Sequence, residues 1–200
     1  RKIGVELLFE GIENKMQFHY SWKTCGRYYQ GNFLSKPQGT LIERGVLKNR
    51  FREDIRRFIQ MEQDKVKREW ELAARLNERF RRVAAEVRPH PDLDAWLTAA
   101  APRVGDLCFR MYITDFEGFQ ISSNVLKDGE AWRLQPEMRG KNWSWRPYFI
   151  ENLIRMNQEN SGILSDPYSD ISTGEIIRTF SYPLPESRFL FADLPEDTIL

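Results

Sequence analysis

Between residues 41 and 88 the chain holds a single glycine, Gly45, and its apolar residues recur on a helical period. Val66, Trp70, Ala73, Leu76, Phe80, Val83 and Val87 follow one another at spacings of 4, 3, 3, 4, 3 and 4. That is a heptad-like stripe. Phe51, Ile55, Phe58 and Ile59 extend it backwards, and Pro89 and Pro91 stop it. The pattern predicts a helix over 48–88, about 60 Å long at 1.5 Å per residue. A helix of that length overruns any one small domain. It is expected to join two domains as a spacer, to form a coiled-coil dimer with Trp70 and Phe80 on the seam, or both.

The flanking segments differ in kind. Residues 1–40 are mixed and aromatic, and residues 89–200 are rich in aromatics, turns and alternating runs. Three parts follow: 1–40, the helix at 41–88, and a domain at 89–200. In the first part Val5–Phe9 reads as a strand, Asn14–Trp22 as a helix and Arg27–Gln30 as a second strand. A unit this short cannot bury a core of its own and should belong to something larger. In the last part Asp92–Ala100 reads as a short helix. Leu107–Thr114 and Phe119–Asn124 read as a hairpin across the turn Asp115–Gly118. Arg146–Asn157 is expected to be helical, and Glu175–Tyr182 and Arg188–Leu194 to be strands broken by Pro183 and Pro185. The fold class is α+β, with a small antiparallel sheet and its helices on one side.

Charge excludes little by itself. The net charge is +1, but residues 48–88 carry 13 Lys/Arg against 8 Asp/Glu. A basic helix can touch nucleic acid or anionic lipid. The interspersed signs fit a solvated helix better, and no stacking aromatics interleave with the basic residues off the apolar stripe. Neither nucleic acid nor a membrane is expected as a partner. No apolar run approaches the ~20 residues of a bilayer span, and no signal peptide is visible. The two cysteines, Cys25 and Cys108, have no metal or disulfide spacing. A reducing, cytoplasmic setting is expected. His19 and His90 stand in no catalytic pattern and read as structural. Ser122 and Ser123 lack a base nearby in sequence.

Two constellations carry chemistry. The first is Glu10-Gly11-Ile12-Glu13 after a strand, followed by Gly26, Gln30-Gly31 and Ser35-Lys36-Pro37. A carboxylate at the C-terminal end of a strand can help activate a metal-bound water. Over residues 1–38 this pattern resembles the last two β/α units of the (β/α)8 barrel of the EAL family. These are cyclic-di-GMP phosphodiesterases and their degenerate relatives. Asn32 stands where the family usually has an aromatic. The resemblance implies Glu10 as a catalytic carboxylate, Glu13 as support for the site loop and Gln30 near the bound dinucleotide. It also implies Mg or Mn for a complete EAL domain. The family's other metal ligands precede these segments. Residues 1–200 alone are therefore expected to hold no metal or other cofactor and not to hydrolyse cyclic-di-GMP.

The second constellation is Arg139 through Phe149, with Trp143, Trp145, Arg146 and Tyr148, followed by Ser165-Asp166-Pro167-Tyr168-Ser169-Asp170. Aromatic walls beside an arginine can hold a small carboxylate or amine ligand. Trp143, Trp145 and Phe149 can equally be core. Residues 104–194 are similar to Cache (PDC) sensor domains, which have PAS-like folds. By that resemblance Arg146 takes a ligand carboxylate and Asp193 a ligand amine. Trp143, Tyr148, Tyr168 and Arg139 join the candidate site. Tyr148 and Phe149 replace the family's tryptophan and tyrosine, and Lys141 stands about where an upstream tyrosine is usual. The combination resembles the YkuI-type signalling proteins of bacilli.

The whole reads as the sensory and regulatory C-terminal part of a cyclic-di-GMP signalling protein. A small ligand or partner would act through the helix on the barrel, and the helix would make a homodimer. The alternative is the tail of an active phosphodiesterase whose C-terminal domain serves only for dimerisation.

Overall fold

A computed structural model describes residues 4–43, 45–86, 91–146 and 148–199. Val87, Pro89, His90 and Pro147 lie outside these residues. The chain divides into two compact units, Arg1–Val66 and Lys67–Leu200.

In the first unit β1 (Leu7–Phe9) pairs in parallel with β2 (Gly26–Tyr29), and α1 (Lys15–Lys23) connects them. The parallel pairing requires such a crossover. Asn14 caps α1, its side chain accepting from the Gln17 N–H at 2.9 Å. Phe18 is buried among Trp22, Tyr29, Phe33 and Phe51. Lys15 and Lys23 pair with Asp54 and Glu62 of the following helix. Val5, Leu8, Met16 and Tyr20 stay exposed, so this unit leaves much apolar surface uncovered.

Helix α2 (Lys48–Ala85) runs as the glycine-poor pattern predicts and ends three residues earlier. Its buried face differs from the stripe. In the second unit Leu72, Leu76, Phe80, Val83 and Ala84 are buried, whereas Trp70 is 74% exposed and Val66 is exposed too. Phe80 is fully buried against Phe180, with ring centroids 5.2 Å apart, so it is not on a seam open to a second chain. The reason is geometric. A straight helix drifts about 20° per heptad from a 3.5-residue repeat, and the domain it packs on selects the face.

The second unit is a seven-stranded antiparallel sheet, with β5-β4-β3-β9-β8-β6 in order and β7 also on β8. The strands are β3 (Arg110–Thr114), β4 (Asn124–Asp128), β5 (Ala131–Gln135), β6 (Ile163–Leu164), β7 (Tyr168–Ser169), β8 (Ile176–Leu184) and β9 (Arg188–Pro195). Helix α3 (Leu93–Ala100) begins at Asp92, whose carboxylate accepts from the Asp94 and Ala95 N–H groups. Helix α4 (Phe149–Glu159) ends at Asn160, which takes the left-handed conformation common at helix ends.

The helices cover both faces, not one. Met111, Ile113, Phe180, Leu190 and Ala192 point to the α2 and α3 side, with Trp96 and Leu97. Tyr112 and Phe191, the alternate residues, point to the other side against Phe149 and Met156 of α4. Every residue of β3 is consequently buried.

Two strand expectations shift. The return after Asp115–Gly118 makes isolated bridges, Gln120 to Thr114 and Phe119 to Asn142, and the ladder with β3 starts at Val125. The β4–β5 hairpin was not expected, although Asp128-Gly129 is a hairpin turn signal. Pro183 does not break β8, which pairs with β9 through Leu184.

Candidate functional site

Arg146 lies in the turn ahead of α4, not inside the helix that the sequence pattern places there. It is only 7% exposed. Its Nη1 donates to the hydroxyls of Tyr148 at 3.0 Å and Tyr168 at 2.5 Å. Its Nε is buried with no hydrogen-bond partner. Among the described residues no carboxylate forms an ion pair with it. The guanidinium sits 4.7 Å from the centroid of Trp143 and 5.1 Å from that of Tyr168. These ring faces compensate part of its lost hydration.

A directed chain of hydrogen bonds leaves this arginine. Tyr168 donates to Thr179 at 2.6 Å, and the Thr179 hydroxyl donates to Asp193 at 2.6 Å. Burial first, and then the charge of Asp193, push the Tyr168 hydroxyl well above its ordinary value, so it stays protonated. Asp193 is fully buried. Its second oxygen accepts from Arg110 Nε at 2.6 Å, and Arg110 Nη1 reaches Asp170 at 3.2 Å. Burial raises the Asp170 carboxyl, but the hydrogen bond and charge of Arg110 outweigh it and hold the group below its usual range.

The alternation of the strands places these groups. Thr179 and Ser181 of β8 face α4, while Arg178 and Phe180 face α2. A cavity of about 580 Å³ opens beside Arg146, lined by Trp145, Tyr148, Asn152, Arg155, Tyr168 and others. Beside Arg110 the remaining space is only about 10 Å³. Ser165 lines the larger cavity, and its carbonyl accepts from Arg178 Nε at 2.7 Å.

The structure thus brings Arg146, Tyr148, Tyr168 and Trp143 together. Asp193 joins them through Thr179, not by a bond to Arg146 among the described residues. Arg139 is elsewhere: it pairs with Asp94 at 2.7 Å and with Ser123. Burial raises the Asp94 carboxyl, and its bonds to Ser123 and Arg139 bring it below its ordinary value. Trp145 is largely exposed and Phe149 is core. Arg110, Thr179 and Asn152 were not singled out from sequence. A charge inside the apolar run Cys108–Ile113 was the available signal for Arg110.

In the first unit Glu10 borders a cavity of about 430 Å³ with Phe9, Gly11, Ile12 and Met16. The Glu13 N–H donates to Gln17. The Gln30 backbone bonds Phe9 and Ile12, so the Glu10–Glu13 loop and the Gln30 strand end adjoin. Gly31 is required there, since a Cβ would overlap the Ile12 backbone. No three His, Cys, Asp or Glu side chains cluster into a metal site among the described residues. Glu10 and Glu13 alone do not make the oxygen shell of a divalent cation. Cys25 and Cys108 are free thiols. No helix among the described residues is long and apolar enough to cross a membrane.

The chain is 43% identical over 197 residues to the EAL-domain containing protein YkuI of Bacillus subtilis (strain 168), covering 98% of this chain and 48% of that one. The crystal structure of B. subtilis YkuI, with an EAL domain and in complex with substrate c-di-GMP and calcium, superposes with a TM-score of 0.90 at 42% identity. It covers 97% of this chain and 50% of that chain. The chain therefore spans about half the length of these relatives. The ligand-binding domain of the Campylobacter jejuni chemoreceptor Tlp3, in complex with L-valine, matches at 11% identity with a TM-score of 0.50. It covers 80% of this chain and 66% of that chain, a likeness of fold. Residues 41–199 match the family described as EAL-domain associated signalling protein domain, and the chain belongs to that family.

Proposed function

We propose that this chain is the sensory and regulatory C-terminal portion of a cytoplasmic cyclic-di-GMP signalling protein. The observation that carries the reading is Arg146, a buried guanidinium with no carboxylate ion pair among the described residues, at the wall of a 580 Å³ cavity. A small ligand or partner bound there bears on β6 and β7, which pair with β8, and the opposite side of β8 carries α2. Helix α2 then reports to the EAL portion by a shift between two packing states. In the complete protein Glu10 serves as a catalytic carboxylate, Glu13 supports its loop and Gln30 borders the dinucleotide. Mg or Mn would bind with ligands from the rest of the barrel. The three parts are then barrel end (1–40), linking helix (41–88) and sensor (89–200).

The test is a thermal-shift titration of the chain with a metabolite library. Stabilisation by a compound, and its loss in Arg146→Gln, supports sensing. A melting temperature that no compound moves rejects it.

One observation favours a second reading, in which the domain serves dimerisation of an active phosphodiesterase. Ile59, Val66 and Trp70 stand exposed on α2. Sedimentation at high concentration distinguishes the two: a strict monomer removes the dimer reading.

A further inference from the structure

The sensing site has an anionic half and a cationic half, and the chain itself occupies the anionic half. Asp193 has both oxygens engaged, one by Arg110 Nε and one by the Thr179 hydroxyl. Asp170 is bound by the same guanidinium and by Thr173. The space that Arg110, Asp170 and the inner side of Arg146 line together holds one water at most, at about 10 Å³. A ligand ammonium has no room to enter there, and both carboxylates are already paired with Arg110. Any ammonium would also meet the fixed positive charge of Arg110.

The cationic half is open. Arg146 keeps its charge under any ordinary condition, has hydroxyl partners on Nη1 only, and leaves Nε unsatisfied. Arg155 also lines the cavity, but it is exposed and already pairs with Glu159. A carboxylate or phosphate oxygen reaching the Arg146 guanidinium from the cavity is the anionic acceptor that it lacks. Trp145, Tyr148 and Tyr168 supply flat apolar walls for the rest of a ligand. Glu151 and Asp166 also line the cavity, but both are exposed, and exposed pairing adds little.

Resting on the sensory reading above, we propose that the Arg146 cavity takes an organic anion that carries no ammonium group. Its head is a carboxylate or phosphate at Arg146, and its body is apolar or aromatic. Arg110 acts as a built-in cation that discriminates against free amino acids.

The test uses the full chain and matched pairs: valine with isovalerate, leucine with 4-methylpentanoate, and phenylalanine with 3-phenylpropionate. Phenyl phosphate separates a phosphate head from a carboxylate one. Calorimetry should show at least one ammonium-free anion binding about tenfold or more tighter than its matched amino acid, or phenyl phosphate doing so relative to phenylalanine, a difference of about 1.4 kcal/mol. Arg146→Gln should abolish that binding while circular dichroism stays unchanged. Arg110→Gln, if it folds, should narrow the preference. The comparison on the unaltered chain decides the matter whether or not that variant folds. An amino acid binding as tightly as its deaminated partner, or tighter, overturns the inference and leaves the sensory reading standing. Silence of both series overturns the inference alone, and the sensory reading then stands or falls with the metabolite library.

Discussion

Arg178 Nη1 lies 3.2 Å from Glu69 Oε1, tying strand β8 to helix α2. The arginine side chain is almost fully buried and the glutamate is partly covered. Removing the acid leaves a buried charge with the Ser165 carbonyl as its neutral partner. Glu69→Ala should therefore destabilise the chain by about 1–3 kcal/mol in urea unfolding. A double-mutant cycle with Arg178→Met should return a coupling above about 0.5 kcal/mol. Because Ser165 also lines the Arg146 cavity, the same variant should alter ligand affinity. A cycle with no coupling would disconnect the cavity from the helix at this point.

A second tie lies about two turns further along α2. Asn77 Nδ2 donates to the Gly162 carbonyl at 3.0 Å, and its Oδ1 accepts from the Gly162 N–H at 2.6 Å and from Ser161. Gly162 itself is buried, and a Cβ there would overlap the Phe180 ring. Asn77→Ala leaves buried backbone groups unsatisfied and should cost about 1–3 kcal/mol. Hydrogen exchange of the Gly162 amide should rise in that variant.

The two faces of α2 should respond oppositely to truncation. Phe80→Ala empties a site with no solvent exposure beside Phe180 and should cost about 3–5 kcal/mol. Trp70→Ala removes a ring that is 74% exposed and should change monomer stability by about 0.5 kcal/mol or less. Urea midpoints compare the two. If the helix pairs with a second copy, sedimentation should show Trp70→Ala weakening that pairing.

Acid should act through Asp170. Its folded value lies below its unfolded one, because Arg110 outweighs burial. Its stabilisation is therefore complete above the unfolded carboxylate value of about 3.9 and is lost as pH falls through the folded value. Asp170→Asn should lower stability at neutral pH and flatten the acid limb of a stability–pH curve. Denaturant midpoints measured from neutral pH into the acid range check both. A limb as steep in the variant as in the parent would place the acid response in other carboxylates.

Local pattern alone determined a good part of this protein. The glycine-poor run with period near 3.6 specified α2, because backbone propensity and apolar spacing are properties of neighbouring residues. The apolar runs on either side of Pro183 and Pro185 marked β8 and β9 in the same way. The motifs around Glu10–Glu13, Gln30–Gly31 and Arg146 pointed to the family that residues 41–199 match. Tertiary structure decided what those elements face. Leu72 is buried and Trp70 exposed because the sheet and α3 choose the side of the helix. The helices divide between two faces because β3 and β9 are apolar on both. Arg110 meets Asp193 across 83 residues of sequence, and that pairing sets which half of the Arg146 site remains open. Periodicity records a residue's neighbours along the chain. The partner that neutralises a buried charge is brought in by folding, from a distance over which no local pattern extends.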